Sequence, residues 1–186
     1  MDNAVGAWAP SLMVRNFHAD AGAVGLQLGY MLIFAYGGGM FAGGWLADLA
    51  AARRGPRGKV ALCAAASVAI LPVAPLLNAG SADTVMAGVA LYFALSAVIT
   101  ASGLSAILDA APNRVRGLAM AVSFFLNVAL GAGLGPTAVV VSGQLLFGES
   151  AGLGPAIAFT MASSCAVAAA SALLSLYISR TRRGTP

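Results

Sequence analysis

The sequence predicts an all-α integral membrane protein with five full transmembrane helices and a partial N-terminal one. Three observations carry this prediction. First, 60% of the 186 residues are hydrophobic and only 9% are charged. Water-soluble domains carry about 25% charged side chains, and charge this sparse cannot coat a surface facing water. Second, the mean hydropathy of +0.88 is concentrated in uninterrupted apolar blocks. Each reaches the length that crosses a hydrocarbon core as a helix, and helices satisfy all their backbone polar groups inside lipid. Third, the basic residues cluster at the gaps between blocks, on one side of the membrane. The same composition excludes a disordered chain, which is poor in apolar residues and rich in charge. The 23 Gly and 8 Pro follow no triplet period, which excludes collagen.

Residues 1–14 are apolar but too short to span alone, and they form the partial helix. The first full span, 21–47, lies between Asp20 and Asp48 and is glycine-rich. Gly25 and Gly29, and likewise Gly39 and Gly43, are four residues apart. Each pair shares one helix face and lets a second backbone approach, or else touches a ligand. The second span, 60–78, carries Pro72 and Pro75 at its far end, where they break or bend the helix. The third, 84–107, aligns Tyr92, Ser96, Thr100 and Gly103 in one stripe. In lipid such a polar stripe faces either a neighbouring helix or a water-filled cavity. The fourth, 117–147, contains Asn127, Gly131, Gly133, Gly135 and Pro136. Its Gly-Pro step bends the helix, and Asn127 needs either interhelical partners or a polar substrate. The last span, 153–179, is rich in Ala and Ser, follows a turn made by Gly148, Gly152, Gly154 and Pro155, and is capped by Tyr177. It reads as a peripheral packing helix.

The charges give the orientation. Arg53, Arg54, Arg57 and Lys59 follow the first full span, Arg114 and Arg116 the third, and Arg180, Arg182 and Arg183 the fifth. All three clusters therefore share one side, which holds nine of the ten Lys and Arg, and Arg15 alone is opposite. By the positive-inside rule the clustered side and the C-terminus are cytoplasmic. The net charge of +4 does not point to nucleic acid, because no basic face with interleaved aromatics exists. Met1-Asp2-Asn3 supplies no basic start to a secretory signal. Cys63 and Cys165 lie within spans and read as small apolar groups. With His18 as the only histidine, no metal centre or other cofactor is expected. The glycines at 131, 133 and 135 sit within an apolar helix and form no dinucleotide loop.

Two segments carry a family pattern. Gly43-Gly44-Trp45-Leu46-Ala47-Asp48, followed by Arg53-Arg54, resembles the loop signature of the major facilitator superfamily, in the copy between helices eight and nine. Leu49 stands where that signature usually has a basic residue. Pro112-Asn113-Arg114-Val115-Arg116-Gly117, leading to Gly131-x-x-x-Gly135-Pro136, resembles the junction of helices ten and eleven. Trp8-x-Pro10-x-x-x-x-Arg15 looks like the outer end of helix seven. The order as a whole is similar to the C-terminal half of spinster-like transporters and their bacterial relatives. Those relatives often carry an acidic residue after helix eleven, where this chain has Gly143-Gln144.

The resemblance implies half of a twelve-helix transporter fold, whose site lies between two halves at the midplane. It implies transport of a small solute by alternating access, in the inner (cytoplasmic) membrane of a bacterium, with the missing N-terminal half as partner. Carried onto this sequence, the cavity-lining helices point to Trp8, Tyr30, Tyr92, Ser96, Thr100 and Asn127. The gating motif falls on Gly43, Gly44, Asp48, Arg53, Arg54, Asp109, Arg114 and Arg116. There Asp48 is expected to pair with an arginine, and Asp109 stands close to the pair-ready Arg114. The helix bend falls on Gly131, Gly135 and Pro136. No carboxylate is expected at mid-membrane in this half. Two other readings stand beside this one. One is a truncated membrane fragment with no transport of its own. The other is an intramembrane hydrolase, which would need a nucleophile beside a base, and no span contains an intramembrane His, a paired Asp or a Gly-x-Ser-x-Gly turn.

Overall fold

The structure is a computed structural model that describes residues 2–147 and 153–181, with side chains for 2–145 and 155–175. Gly148 and Gly152 of the expected turn, and Arg182 and Arg183 of the tail, lie outside the described residues. The side chains of Tyr177 and Arg180 do too.

The described residues are almost entirely helical and contain no strand. Helix α1 spans Asp2–Phe17, α2 Ala21–Arg54, α3 Pro56–Asn78, α4 Ala82–Ala110, α5 Asn113–Leu145 and α6 Leu153–Thr181. Among them, five are long and apolar enough to cross a membrane. Every helix therefore matches one apolar block of the sequence, with ends a few residues beyond those set by charge alone. Helix α2 runs on past Asp48 to Arg53 and Arg54, which complement the carbonyl end of the helix dipole.

The turns follow from local chemistry. His18 adopts φ 51° between α1 and α2, a conformation few side chains other than Asn, Asp and His take up. Asp20 then caps α2, its carboxylate accepting from the Ala23 N–H at 2.8 Å. Gly55, at φ 66°, turns the chain from α2 into α3, and Pro56 starts the new helix. Ser81 caps α4 by accepting from the Thr84 N–H.

Where the sequence predicts a break or bend at the prolines, the structure shows changes of helix pitch. Residues Leu71–Asn78, around Pro72 and Pro75, tighten into a 3-10 helix. In α5 the segment Asn127–Leu134 widens into π turns, and ordinary helix restarts at Gly135. Pro136 thus falls in the first turn of the restarted helix, where a missing N–H costs little.

Helix α4 is the hub. It packs against α2, α3 and α1, while α6 packs on α3 and α5 reaches α1 and α6 through its later half. The core joins Leu12 of α1, Ile70 of α3, Tyr92 and Phe93 of α4, Val139 of α5 and Ile157 and Met161 of α6. The α2–α4 crossing is made by glycine, with Gly39 and Gly43 buried against Ala94 and Val98. Gly25 and Gly29 meet no neighbour, so only one of the two glycine pairs packs helices. Short turns join α2 to α3 and α4 to α5, so Arg53, Arg54, Lys59, Arg114 and Arg116 gather at one basic end.

Candidate functional site

The first turn of α1 enters the bundle beside α4. Tyr92 lies ten residues into α4, about 15 Å from the start of that helix. Its hydroxyl donates to Asp2 Oδ1 at 2.9 Å, and the ring is only 1% exposed. Phe93 packs beside it at 5.8 Å between centroids and meets Tyr36 of α2 edge-on at 6.4 Å. A half-buried carboxylate from α1 is therefore held against the middle of α4, although no full span of the sequence contains one. Asp2 stands in the first turn of the short α1, and only the packing of α1 against α4 shows which group its carboxylate meets.

Helix α1 also carries the tie to α5. Trp8 is half-buried, and its Nε1 donates to the Pro136 carbonyl at 3.2 Å. One turn earlier Gly135 faces Ala4, and Gly131 faces the Asn3 amide. A side chain at Gly131 would stand 3.3 Å from Asn3 Nδ2 and 3.9 Å from Asn127 Oδ1, so the glycine leaves room for two carboxamides. An open cleft of about 430 Å³ lies here, lined by Ser123, Asn127, Leu130, Gly131, Gly135 and, from α6, Ser164. The Ser123 and Ser164 hydroxyls donate to carbonyls of their own helices, Ala119 and Thr160, each at 2.8 Å. Asn127 is exposed, and among the described residues its amide makes no hydrogen bond. Its donors and its acceptor are all free to bind, whereas the two serine hydroxyls keep only acceptor capacity.

The remaining cavity candidates fall elsewhere. Ser96 is buried and donates to Phe93 O, and Thr100 is half-buried and donates to Ser96 O at 3.0 Å. Tyr30 lies on the exposed face of α2, stacked on Phe34 at 6.4 Å. The structure thus links Trp8 and Tyr92 through α1 and leaves Asn127 in a separate cleft on α5. Asp2, Asn3, Ser123 and Ser164 were missed by sequence reasoning. A polar pair opening an apolar block too short to span was the one available signal.

At the basic end, Lys59 is only 6% exposed. Its ammonium meets Asp109 Oδ2 at 2.6 Å and donates to Ser105 Oγ at 2.7 Å. Asp109 thus pairs with Lys59, across the α3–α4 contact, and not with the nearby Arg114. The neighbour in space outcompetes the neighbour in sequence because α4 ends before the turn that carries Arg114. Arg114 is exposed, and Arg116 Nε donates to the Ala111 carbonyl at 3.2 Å. Asp48 is exposed and forms no ion pair among the described residues, so the expected pairing with an arginine is not found there. Gly43 serves the α2–α4 crossing, while Gly44 faces open space.

Large apolar side chains are left uncovered, most densely on two helices. Helix α2 exposes Ile33, Phe34, Phe41 and Trp45, and α5 exposes Leu118, Phe125, Val128 and Leu134. Faces this apolar are unstable in water and stable against lipid or another protein surface. Comparison with known protein families, curated proteins and solved structures finds no match to this chain.

Proposed function

We propose that the chain is a membrane-embedded half of a secondary carrier that moves a small solute by alternating access. The observation that carries this reading is the Asn127 carboxamide, which makes no hydrogen bond among the described residues and lines an open cleft between α5 and α6. Polar groups in spanning helices are costly in lipid and mark solute pathways. The widened turn at Asn127–Leu134 fits a site of this kind, since π segments recur where helices bind ligands. The exposed apolar face of α5 is where a second half of the carrier packs, closing the cleft into a cavity at the midplane. In this reading the basic end lies in the cytoplasm, and the membrane is the inner membrane of a bacterium.

Cysteine accessibility tests the proposal. In a background with Cys63 and Cys165 replaced by alanine, Asn127→Cys is exposed to a membrane-impermeant maleimide in sealed cells and in inverted vesicles. A water-filled, alternately opened site reacts from both sides. A thiol that stays unreactive from both sides faces lipid or protein, and the carrier reading is then wrong.

A second reading is favoured by a specific observation. The hydroxyls of Ser96, Thr100, Ser123 and Ser164 are all satisfied within their own helices. That pattern suits a membrane bundle without transport, in which polar groups serve packing. Unreactive Asn127→Cys with normal folding is its signature.

A further inference from the structure

We propose that the crevice between the basic ends of α2 and α3 binds the headgroup of an anionic phospholipid. The crevice holds about 250 Å³ and takes Arg53 and Arg54 from the last turn of α2 and Ala61, Leu62 and Ala65 from α3. Both arginines are exposed, and among the described residues neither forms an ion pair or hydrogen bond. The nearby acid Asp109 is already taken by Lys59 at 2.6 Å. Asp48, earlier on the same helix, makes no ion pair with either arginine, so two guanidinium groups stand unpaired among the described residues at one edge of a pocket, and their planar forks match phosphate oxygens in pairs.

The rest of the pocket selects the kind of phosphate. Ala61 and Ala65 are one helical turn apart on α3, with Leu62 beside them, and they form an apolar wall that runs away from the basic end. At its base α2 and α3 are pressed together, since a side chain at Gly58 would strike the Ala50 carbonyl. A free phosphate needs only the arginines. A basic edge continuous with an apolar wall fits an amphiphile whose chain lies along α3, and basic pockets between spanning helices bind anionic headgroups in this way. The inference rests on the membrane reading of these helices and is independent of transport.

Native mass spectrometry of the full chain, released from micelles containing equal phosphatidylglycerol and phosphatidylcholine, tests it. The expected result is retention of phosphatidylglycerol over phosphatidylcholine by about tenfold. Arg53→Gln/Arg54→Gln brings the two lipids to parity, while Arg114→Gln/Arg116→Gln, at the same end, leaves the preference unchanged. Ala65→Trp fills the apolar wall with both arginines intact and also brings parity, which keeps the test decisive if the arginine variant misfolds. A preference that survives either pocket variant, or that falls equally in the Arg114/Arg116 variant, overturns the site. Displacement of the lipid by excess inorganic phosphate overturns the lipid as its occupant. A chain that stays dispersed without detergent and binds neither lipid overturns the membrane reading itself.

Discussion

Replacing Gly43 by alanine adds one methyl group, and the structure says where it goes. The new Cβ would stand 2.7 Å from Val98 Cα, 3.1 Å from the Ala101 Cβ and 3.3 Å from Val98 O. Ordinary contact begins at 3.4 Å, and the nearest atom is backbone, so no side-chain rotation relieves the clash. Helices α2 and α4 must separate by about 0.7 Å at the crossing, loosening the interdigitated contacts on either side; overpacking of this kind costs about 1–3 kcal/mol. Gly44, the next residue, has nothing within 4 Å of its built Cβ. There alanine relieves the backbone entropy of glycine and is worth about 0.5–1 kcal/mol in the opposite direction. The two variants are chemically identical and adjacent, so propensity, expression and detergent effects cancel in their difference. Reversible unfolding in mixed micelles, titrated with sodium dodecyl sulfate and followed by far-UV circular dichroism, reads that difference. We expect Gly43→Ala to be less stable than Gly44→Ala by about 1–3 kcal/mol. Gly39→Ala, whose Cβ would stand 2.5 Å from Ala94 O, should join Gly43→Ala in a double variant with less than additive loss, because one separation relieves both clashes. Equal stability of the Gly43 and Gly44 variants would refute the crossing geometry.

The other predictions use the same assay except where stated. Asp109→Asn leaves the buried Lys59 ammonium with Ser105 alone and should cost about 2–3 kcal/mol, more than Lys59→Met, which leaves a partly exposed carboxylate; the double variant should recover most of the loss. A larger loss for Lys59→Met than for Asp109→Asn would contradict the burial of the lysine. Tyr92→Phe keeps the packing and removes the bond to Asp2, for about 1.5–3 kcal/mol; no change would mean that the carboxylate is not held there. Trp8→Phe removes the bond to the Pro136 carbonyl and should cost about 1 kcal/mol, whereas the exposed Trp45→Phe should be neutral. Asn127→Ala should leave stability within about 0.5 kcal/mol and, if the proposed carrier function holds, abolish solute flux in proteoliposomes. A stability loss without a flux effect would make Asn127 a packing residue.

Composition and charge spacing were enough to place every long helix, because lipid-compatible segments must be both long and uncharged. Aspartates at positions 20, 48, 83 and 109 and the basic clusters leave few ways to divide the chain. An irregularity near Pro72, Pro75 and Pro136 was legible for a similar local reason, since proline lacks the donor that an α-turn requires, but its form as 3-10 and π turns was not. Contacts between helices were not legible, since a helix face has neighbours only once the bundle is assembled. Gly25/Gly29 and Gly39/Gly43 have the same spacing and the same residues, yet one pair meets α4 and the other meets nothing. Tyr92, Ser96 and Thr100 form one stripe, and packing is what turns the first two into core. Asp109 sits near Arg114 in the chain but bonds to Lys59, fifty residues earlier. Asp2 has no partner near it in the chain, and only the docking of α1 against α4 brings its carboxylate to Tyr92. Span and turn are properties of consecutive residues and can be read along the chain, whereas pairing depends on which surfaces meet and exists only in the folded bundle.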